Sequence, residues 1–378
     1  MEIYLDNAAT TKPCREAVSA ATDCMTENYG NPSSLHTKGL KAQLVTDGVR
    51  KTIAKEIACP PECVYFTSGA TESNNTAIFG VARTLGKRRP KIVTTTVEHA
   101  SVKEAMAELE KQGFEIVRIA PDKSGEISHE RIIEAVDERT CLVSMMLVNN
   151  ETGYILPVRR AFYSIKKQYP ECITHCDAVQ GFMKIPVKVN NLCADLISMS
   201  AHKIYACKGI GALYIKKGVH LPSMIFGGGQ ERGFRPGTEN VPMIAAFGAA
   251  VRKLGTTIGE RYSQMEKLRG RFLERIEKTD GIVVNSKEES SPYIINISVP
   301  GIRSEIMLHF LESKEIYVSS GSACSKGAQS GVLTEFGLKP DLADSALRIS
   351  LCPENTASEL RMLVEAIEEA MTRLARTK

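Results

Sequence analysis

KIVTTTVEHASVKEAMAELEKQG, residues 91–113, is one complete strand-to-helix unit. KIVTTTVEH (91–99) is an apolar, β-branched run of strand length, and a helical pattern follows over 100–112. Runs of the same strand type recur in CLVSMMLVNN (141–150), ECITHCDA (171–178), ADLISMS (194–200) and GALYIKK (211–217). Further helical patterns cover 36–58, 72–86 and 158–168. Such alternation predicts an α/β fold built of βαβ units: a mainly parallel central sheet flanked by helices. Sheets of this kind carry their chemistry in loops beyond the carboxyl ends of the strands. The polar motifs of this chain fall at those ends.

The pattern changes near residue 255. A long charged helix, IGERYSQMEKLRGRFLERIEK (258–278), precedes GIVVNS, YIINISV, IYVSS and ALRISL, with helices expected at 304–313 and 355–376. This predicts a smaller α+β C-terminal domain joined through the long helix. The expected division is a large domain over 15–256 and a small domain from 1–14 and 257–378.

The 378 residues are 43% hydrophobic and 24% charged, with 48 basic and 44 acidic side chains and a formal net charge of +4. So slight an excess points to neither nucleic acid nor a membrane surface as a direct partner. No apolar run is long enough to span a bilayer, and MEIYLDNAATT lacks the regions of a signal peptide, so the expectation is cytoplasmic. Eleven scattered cysteines fit a reducing compartment better than a disulfide framework. ECITHCD (171–177) brings Cys172, His175 and Cys176 together in sequence. As a strand it turns His175 away from both thiols, so no metal site is expected.

SMSAHKIYACKGIGALYI (198–215) ends a strand with Ser200, His202 and Lys203, then returns through Gly209 and Gly211. A lysine fixed at a strand end and partly desolvated is what Schiff-base chemistry needs, although a lone lysine there is ordinarily a solvated charge. Asp177 in HCDAVQG suits a pyridinium nitrogen, and Gln180 one turn later a ring oxygen; otherwise such an aspartate caps a helix. FTSGATESNN (66–75) leads through Ala70 and Thr71 into a helix whose amide hydrogens form a phosphate cradle or an ordinary capped start. His99 can stack on a flat cofactor or serve only as a cap. LVNNETG offers Asn149, Asn150 and Glu151 in a polar turn. FGGGQERGFRPGT (226–238), with Thr238, reads as a lid, a phosphate contact or a plain loop. Arg348, on the polar face of ALRISL, suits a carboxylate or a surface ion pair.

SSGSACSKG (319–327) sets Cys324 among serines and glycines that neither bury nor order it, an exposed setting for an oxidisable thiol.

In this order along the chain, YLDNAATT (4–11), GNPSSLH (30–36), TSGATESNN, EHASV, NNETG, CDAVQ, SAHKIY, GGGQERGFRPGT, SGSACS and LRIS resemble the cysteine desulfurases of the NifS/IscS type. These belong to the class V aminotransferases of pyridoxal-phosphate fold type I. The resemblance covers nearly the whole chain, and SAHKIY and SSGSACS are its most specific parts. It implies pyridoxal 5'-phosphate on Lys203, with Asp177 at the pyridine nitrogen, Gln180 and Asn150 near the ring hydroxyl, and His99 stacked on the ring. Ala70, Thr71, Ser200 and His202 would hold the phosphate, with Thr238 supplied by the other subunit of a homodimer. Arg348, assisted by Asn31 and Asn150, would bind the carboxylate of L-cysteine. Lys203 would remove the α-proton, and Cys324 would take the sulfur as a persulfide. The implied recipient is a sulfur-acceptor protein, such as an iron–sulfur scaffold or a tRNA-thiolating enzyme. A mobile, exposed loop would let the thiol visit both cofactor and acceptor.

Two departures stand out: Ala206-Cys207 replaces a Gly-Pro pair, and Cys352-Pro353 replaces a Gly-Arg pair. The competing readings are a selenocysteine lyase, a class V aminotransferase, which needs no loop thiol, or a binding protein that kept the fold and lost the chemistry.

Overall fold

The computed structural model describes residues 2–320 and 331–374; Cys324 lies outside the described residues. The central sheet has seven strands in the order Val64–Thr67, Gly211–Ile215, Leu196–Ser200, Ile173–Asp177, Thr140–Met146, Lys91–Thr95 and Glu115–Ile119. The last five run parallel. Gly211–Ile215 runs antiparallel to both its neighbours, so the sheet is mixed but mainly parallel, as the alternation predicts.

Every residue of Thr140–Met146 and of Leu196–Ser200 is buried, the condition of a strand covered on both faces. Leu142 and Val143 are adjacent, and their side chains enter different apolar clusters, one on each face. Leu142 belongs to a cluster with Ala77, Ile78 and Val81 of the helix Ala70–Leu85 and Met106 and Leu109 of Ala100–Lys111. Val143 joins the larger cluster with Phe162 and Phe247. Burying each such side chain stabilises the fold by about 1.5–3 kcal/mol. That burial is what fixes the strand ends, and with them the site.

A second, antiparallel sheet is ordered Ser319–Ser320, Ala346–Ser350, Ile294–Ser298 and Val283–Val284. The long helix is Ile258–Ile276, and the last described helix is Ala357–Arg373. That last helix starts in a capping box of Thr356 and Glu359, and the Cys352 amide donates to Asn355 Oδ1 at 2.8 Å. The Cys352-Pro353 departure is therefore accommodated by the polar residues just after it.

The first dozen residues tie the two sheets together. Ile3–Tyr4 pairs parallel with Ile316–Tyr317. Asn7 Nδ2 donates to Ser350 O at 2.9 Å, and the Thr11 amide donates to His202 O at 2.9 Å. This N-terminal strap carries its carbonyls directly past the loop that bears Lys203. No helix among the described residues is long and apolar enough to cross a membrane.

Candidate active site

The carboxyl ends of the parallel strands, the start of the helix Ala70–Leu85, the N-terminal strap and the strand Ala346–Ser350 enclose one cavity of about 730 Å³. It is lined by Ala70, Thr71, His99, Asn150, Asp177, Gln180, Ser200, His202, Lys203 and Arg348, so the structure brings these sequence-predicted residues together. Ser319 and Ser320 also line it, placing the last described residues before Cys324 at the cavity wall.

Thr238 and Asn31 are not in that wall. Thr238 lines a separate, smaller recess with Arg235 and Glu239. Asn31 is exposed and accepts from the Ser33 amide at 2.9 Å. The glycine-rich loop before Thr238 turns its charges inward to protein partners. Glu231 forms a two-pronged ion pair with Arg50, at 2.7 and 2.8 Å, and Arg235 pairs with Glu72 at 2.9 Å. Asn149 is fully buried and structural: its Nδ2 donates to Val97 O, and its Oδ1 accepts from the Glu151 and Thr152 amides.

Asp177 closes its strand with both oxygens fixed. Oδ2 accepts from Asn74 Nδ2 at 2.8 Å, and Oδ1 accepts from the Val179 amide at 3.0 Å. Asn74 also donates to the Ser101 hydroxyl at 2.9 Å, which lies 2.8 Å from His99 Nδ1. The Ser101 amide donates to that same Nδ1, so the ring's proton resides on Nε2. Burial lowers the His99 pKa, with Lys203 and Lys103 adding to the effect against the pull of Asp177, and the ring is neutral at pH 7. His202 is pushed down to about 4, first by burial and then by Lys203, Lys208 and Lys184.

Lys203 follows the strand Leu196–Ser200 in a short 3-10 turn. Its Nζ donates to Ala8 O at 2.7 Å and Ala9 O at 2.6 Å, both on the N-terminal strap. Arg348 donates to Asn150 O at 3.1 Å and to Asp6 Oδ1 at 2.8 Å. Its Nε is buried and without a partner among the described residues. Asp6, Asn74 and Ser101 are the site residues that sequence reading passed over. Their only signal was position, since Asp6 lies inside YLDNAATT and Asn74 inside TSGATESNN.

The cavity fits pyridoxal phosphate on three observations. The buried Asp177 carboxylate is met by neutral donors only, which leaves it available to a protonated ring nitrogen. The helix Ala70–Leu85 starts at Gly69 with no side-chain cap, leaving its positive end to an anion. A Cβ at Gly211 would lie 2.8 Å from the Gly69 backbone, so only glycine lets that cradle close.

His175, which the strand pattern turns away from Cys172 and Cys176, is committed to hydroxyl partners. It is buried between the Ser144 and Ser198 hydroxyls, at 2.8 and 2.9 Å, and burial pushes it down to about 3. Cys207 is not in the cavity wall, and burial raises its thiol.

The aminotransferase class-V family model matches residues 3–363. Two curated relatives align over nearly the full length. A NifS/IcsS protein homolog of Lactobacillus delbrueckii subsp. bulgaricus is 39% identical, over 97% of this chain and 96% of the relative. A cysteine desulfurase IscS of Methanosarcina thermophila is 36% identical, over 98% and 92%. Among solved structures, a NifS-like protein superposes with a TM-score of 0.94 at 38% identity, covering 99% of this chain and 100% of its own.

Proposed function

The chain belongs to the aminotransferase class-V family, and from that premise we propose that it is a pyridoxal-phosphate-dependent cysteine desulfurase. The observation that carries this reading is the convergence of Lys203, Asp177, His99 and Arg348 on one cavity. The names of the two curated relatives, at 36–39% identity, support the same activity.

In this reading Lys203 would hold the cofactor, Asp177 would pair with its ring nitrogen, and His99 would stack on the ring. The amide hydrogens at Ala70 and Thr71, with Ser200 and His202, hold its phosphate. The bound cofactor supplies an electron sink for negative charge at the substrate α-carbon. Arg348 binds the carboxylate of L-cysteine, exchanging Asp6 for the substrate. The amine of Lys203, placed at the strap carbonyls of Ala8 and Ala9, would take the α-proton at Nζ. The Cys324 thiolate attacks the substrate sulfur: the new S–S bond forms as the Cβ–S bond breaks, and that electron pair leaves with carbon. Carbon then takes a proton to become the alanine methyl, while Cys324 keeps a persulfide for a sulfur-acceptor protein, an iron–sulfur scaffold or a tRNA-thiolating enzyme.

The working form in this proposal is a cytoplasmic homodimer, with a large domain over 15–256 and a small domain from 1–14 and 257–378. Thr238 and Asn31 lie outside the cavity of their own chain, and Leu35, Leu40, Leu44 and Phe226 are exposed apolar side chains that a second copy would cover.

Sulfide and alanine measured from L-cysteine with a reductant test the reading. Wild type is expected to release both in equal amounts, and Cys324→Ser neither, with the cofactor absorbance retained. Full activity in Cys324→Ser would remove Cys324 from the mechanism. Amino-group transfer without sulfide in wild type would replace the desulfurase reading with an aminotransferase.

A further inference from the structure

Behind the cavity lies a second lysine that the mechanism does not use. Lys184 sits four residues after Gln180, in the turn that follows the strand Ile173–Asp177. It is only 4% exposed and is not part of the cavity wall. Its Nζ donates to Gln180 Oε1 at 2.9 Å. Among the described residues no carboxylate lies within ion-pair distance of it, and the face of the Tyr293 ring is 5.8 Å away. Burial, with Lys203 and Arg348 adding repulsion, pushes Lys184 down to about 7. A methionine of similar length would fill this space without a buried charge, so packing alone does not call for a lysine.

The use of this lysine lies in the amide it touches. A carboxamide has an acceptor end and a donor end of nearly equal shape, and its surroundings decide which faces where. In its protonated form Lys184 can only donate, and it holds Oε1 toward itself at 2.9 Å. Nε2 of Gln180 is thereby turned to the cavity side, where it donates to Ala8 O at 2.9 Å. Ala8 O is the carbonyl that also receives Lys203 Nζ. Gln180 and Lys203 thus share one acceptor, and the far end of the same carboxamide is held by Lys184.

We propose that Lys184 is a positioning residue: its Nζ fixes the Gln180 carboxamide with the donor end toward the cavity, where it is offered to the ring oxygen of the cofactor. The inference rests on the pyridoxal-phosphate reading above and deepens it. Lys184 touches neither cofactor nor substrate and acts through Gln180 alone.

A double-mutant cycle on cofactor affinity separates positioning from general structural support. Apoprotein of wild type, Lys184→Met, Gln180→Ala and the double variant would each be titrated with pyridoxal phosphate, followed by absorbance. The dissociation constant is expected to rise about tenfold in Lys184→Met, the scale of one lost hydrogen bond. Gln180→Ala should lose a similar factor, and the double variant no more than either single one. Lys184→Gln, whose own amide offers either end, should lose less than Lys184→Met. It carries the cycle if the methionine variant does not accumulate as folded protein. Unchanged affinity in the Lys184 variant, or losses that multiply in the double variant, would overturn the inference. Wild type that takes up no pyridoxal phosphate would overturn the functional reading itself, so the two failures are distinguishable.

Discussion

The two sides of the cavity are prepared in opposite ways. On the sheet side, Asp177, Asn74, Ser101 and His99 form one chain of hydrogen bonds among neutral donors, and the carboxylate keeps its charge uncancelled. On the strap side, two cations rest on partners that can yield: Arg348 on Asp6, and Lys203 on the carbonyls of Ala8 and Ala9. A site that must hold one group permanently benefits from fixed, unneutralised charge. A site that must exchange substrate for product benefits from partners that yield. In the proposed function the sheet side would serve the cofactor ring, while the strap side, which carries Arg348 and the proton-moving amine of Lys203, would serve turnover.

The sharpest way to break the comparison is at Asp177. Asp177→Asn keeps the shape and removes the charge, and is expected to lower the rate of sulfide release by about 10²–10⁴. Steady-state kinetics at saturating cysteine would check it, and a loss below tenfold would mean the sheet side does not act through its charge.

Arg348→Gln tests the other side. It should raise KM for L-cysteine by roughly 10- to 100-fold, the scale of a charged hydrogen bond, with a smaller effect on kcat. Asp6→Asn, which removes the competing partner, should instead lower KM by about a few-fold. If Asp6→Asn raises KM as Arg348→Gln does, Asp6 orients the guanidinium rather than competing for it.

Glu98 refines the sheet side through stability. Its carboxyl is buried, accepts from Thr95 Oγ1 at 2.6 Å and the Met146 amide at 3.0 Å, and burial pushes it up to about 8. An ordinary glutamate in the unfolded chain ionises near 4.5. Between those values the folded state holds a proton that the unfolded state has released. The contribution of Glu98 to stability is therefore full below pH 4.5 and is lost as pH rises toward 8, at about 1.4 kcal/mol per pH unit. Glu98→Gln should remove that slope, read from denaturant unfolding at pH 5, 6 and 7. An unchanged slope would mean Glu98 is ionised in the fold.

The smallest effect is expected at Cys207. Its thiol is raised by burial and is not part of the cavity wall, so Cys207→Ser should leave sulfide release within about twofold of wild type. A larger loss would place a second working thiol beside Lys203.

Much of this was legible because the chemistry sits where strands end. Asp177, Ser200 and His99 each close or follow an apolar run, and an alternating chain brings such ends to one edge of a parallel sheet. The helices at 36–58 and 100–112 were found within a residue, as Thr37–Ile57 and Ala100–Lys111. The strand Glu115–Ile119 escaped because it lies at the sheet edge, half-exposed and without a continuous apolar run. The helix Val241–Gly255 is buried around most of its circumference, so it shows no polar face to set its period. Asn74 and Asp6 escaped for a different reason. Their roles come from partners 103 and 342 residues away, and no local pattern encodes such a bond. The loop 226–238 reads in sequence as a lid, a phosphate contact or a plain loop, and its Arg235 is committed to Glu72.

The most direct test of the central claim is to load the protein with pyridoxal phosphate, reduce it with borohydride, and map the modified lysine by peptide mass spectrometry. The account predicts a single adduct on Lys203, with Lys184 and Lys208 unmodified. An adduct on either of those lysines, or none at all, would contradict it.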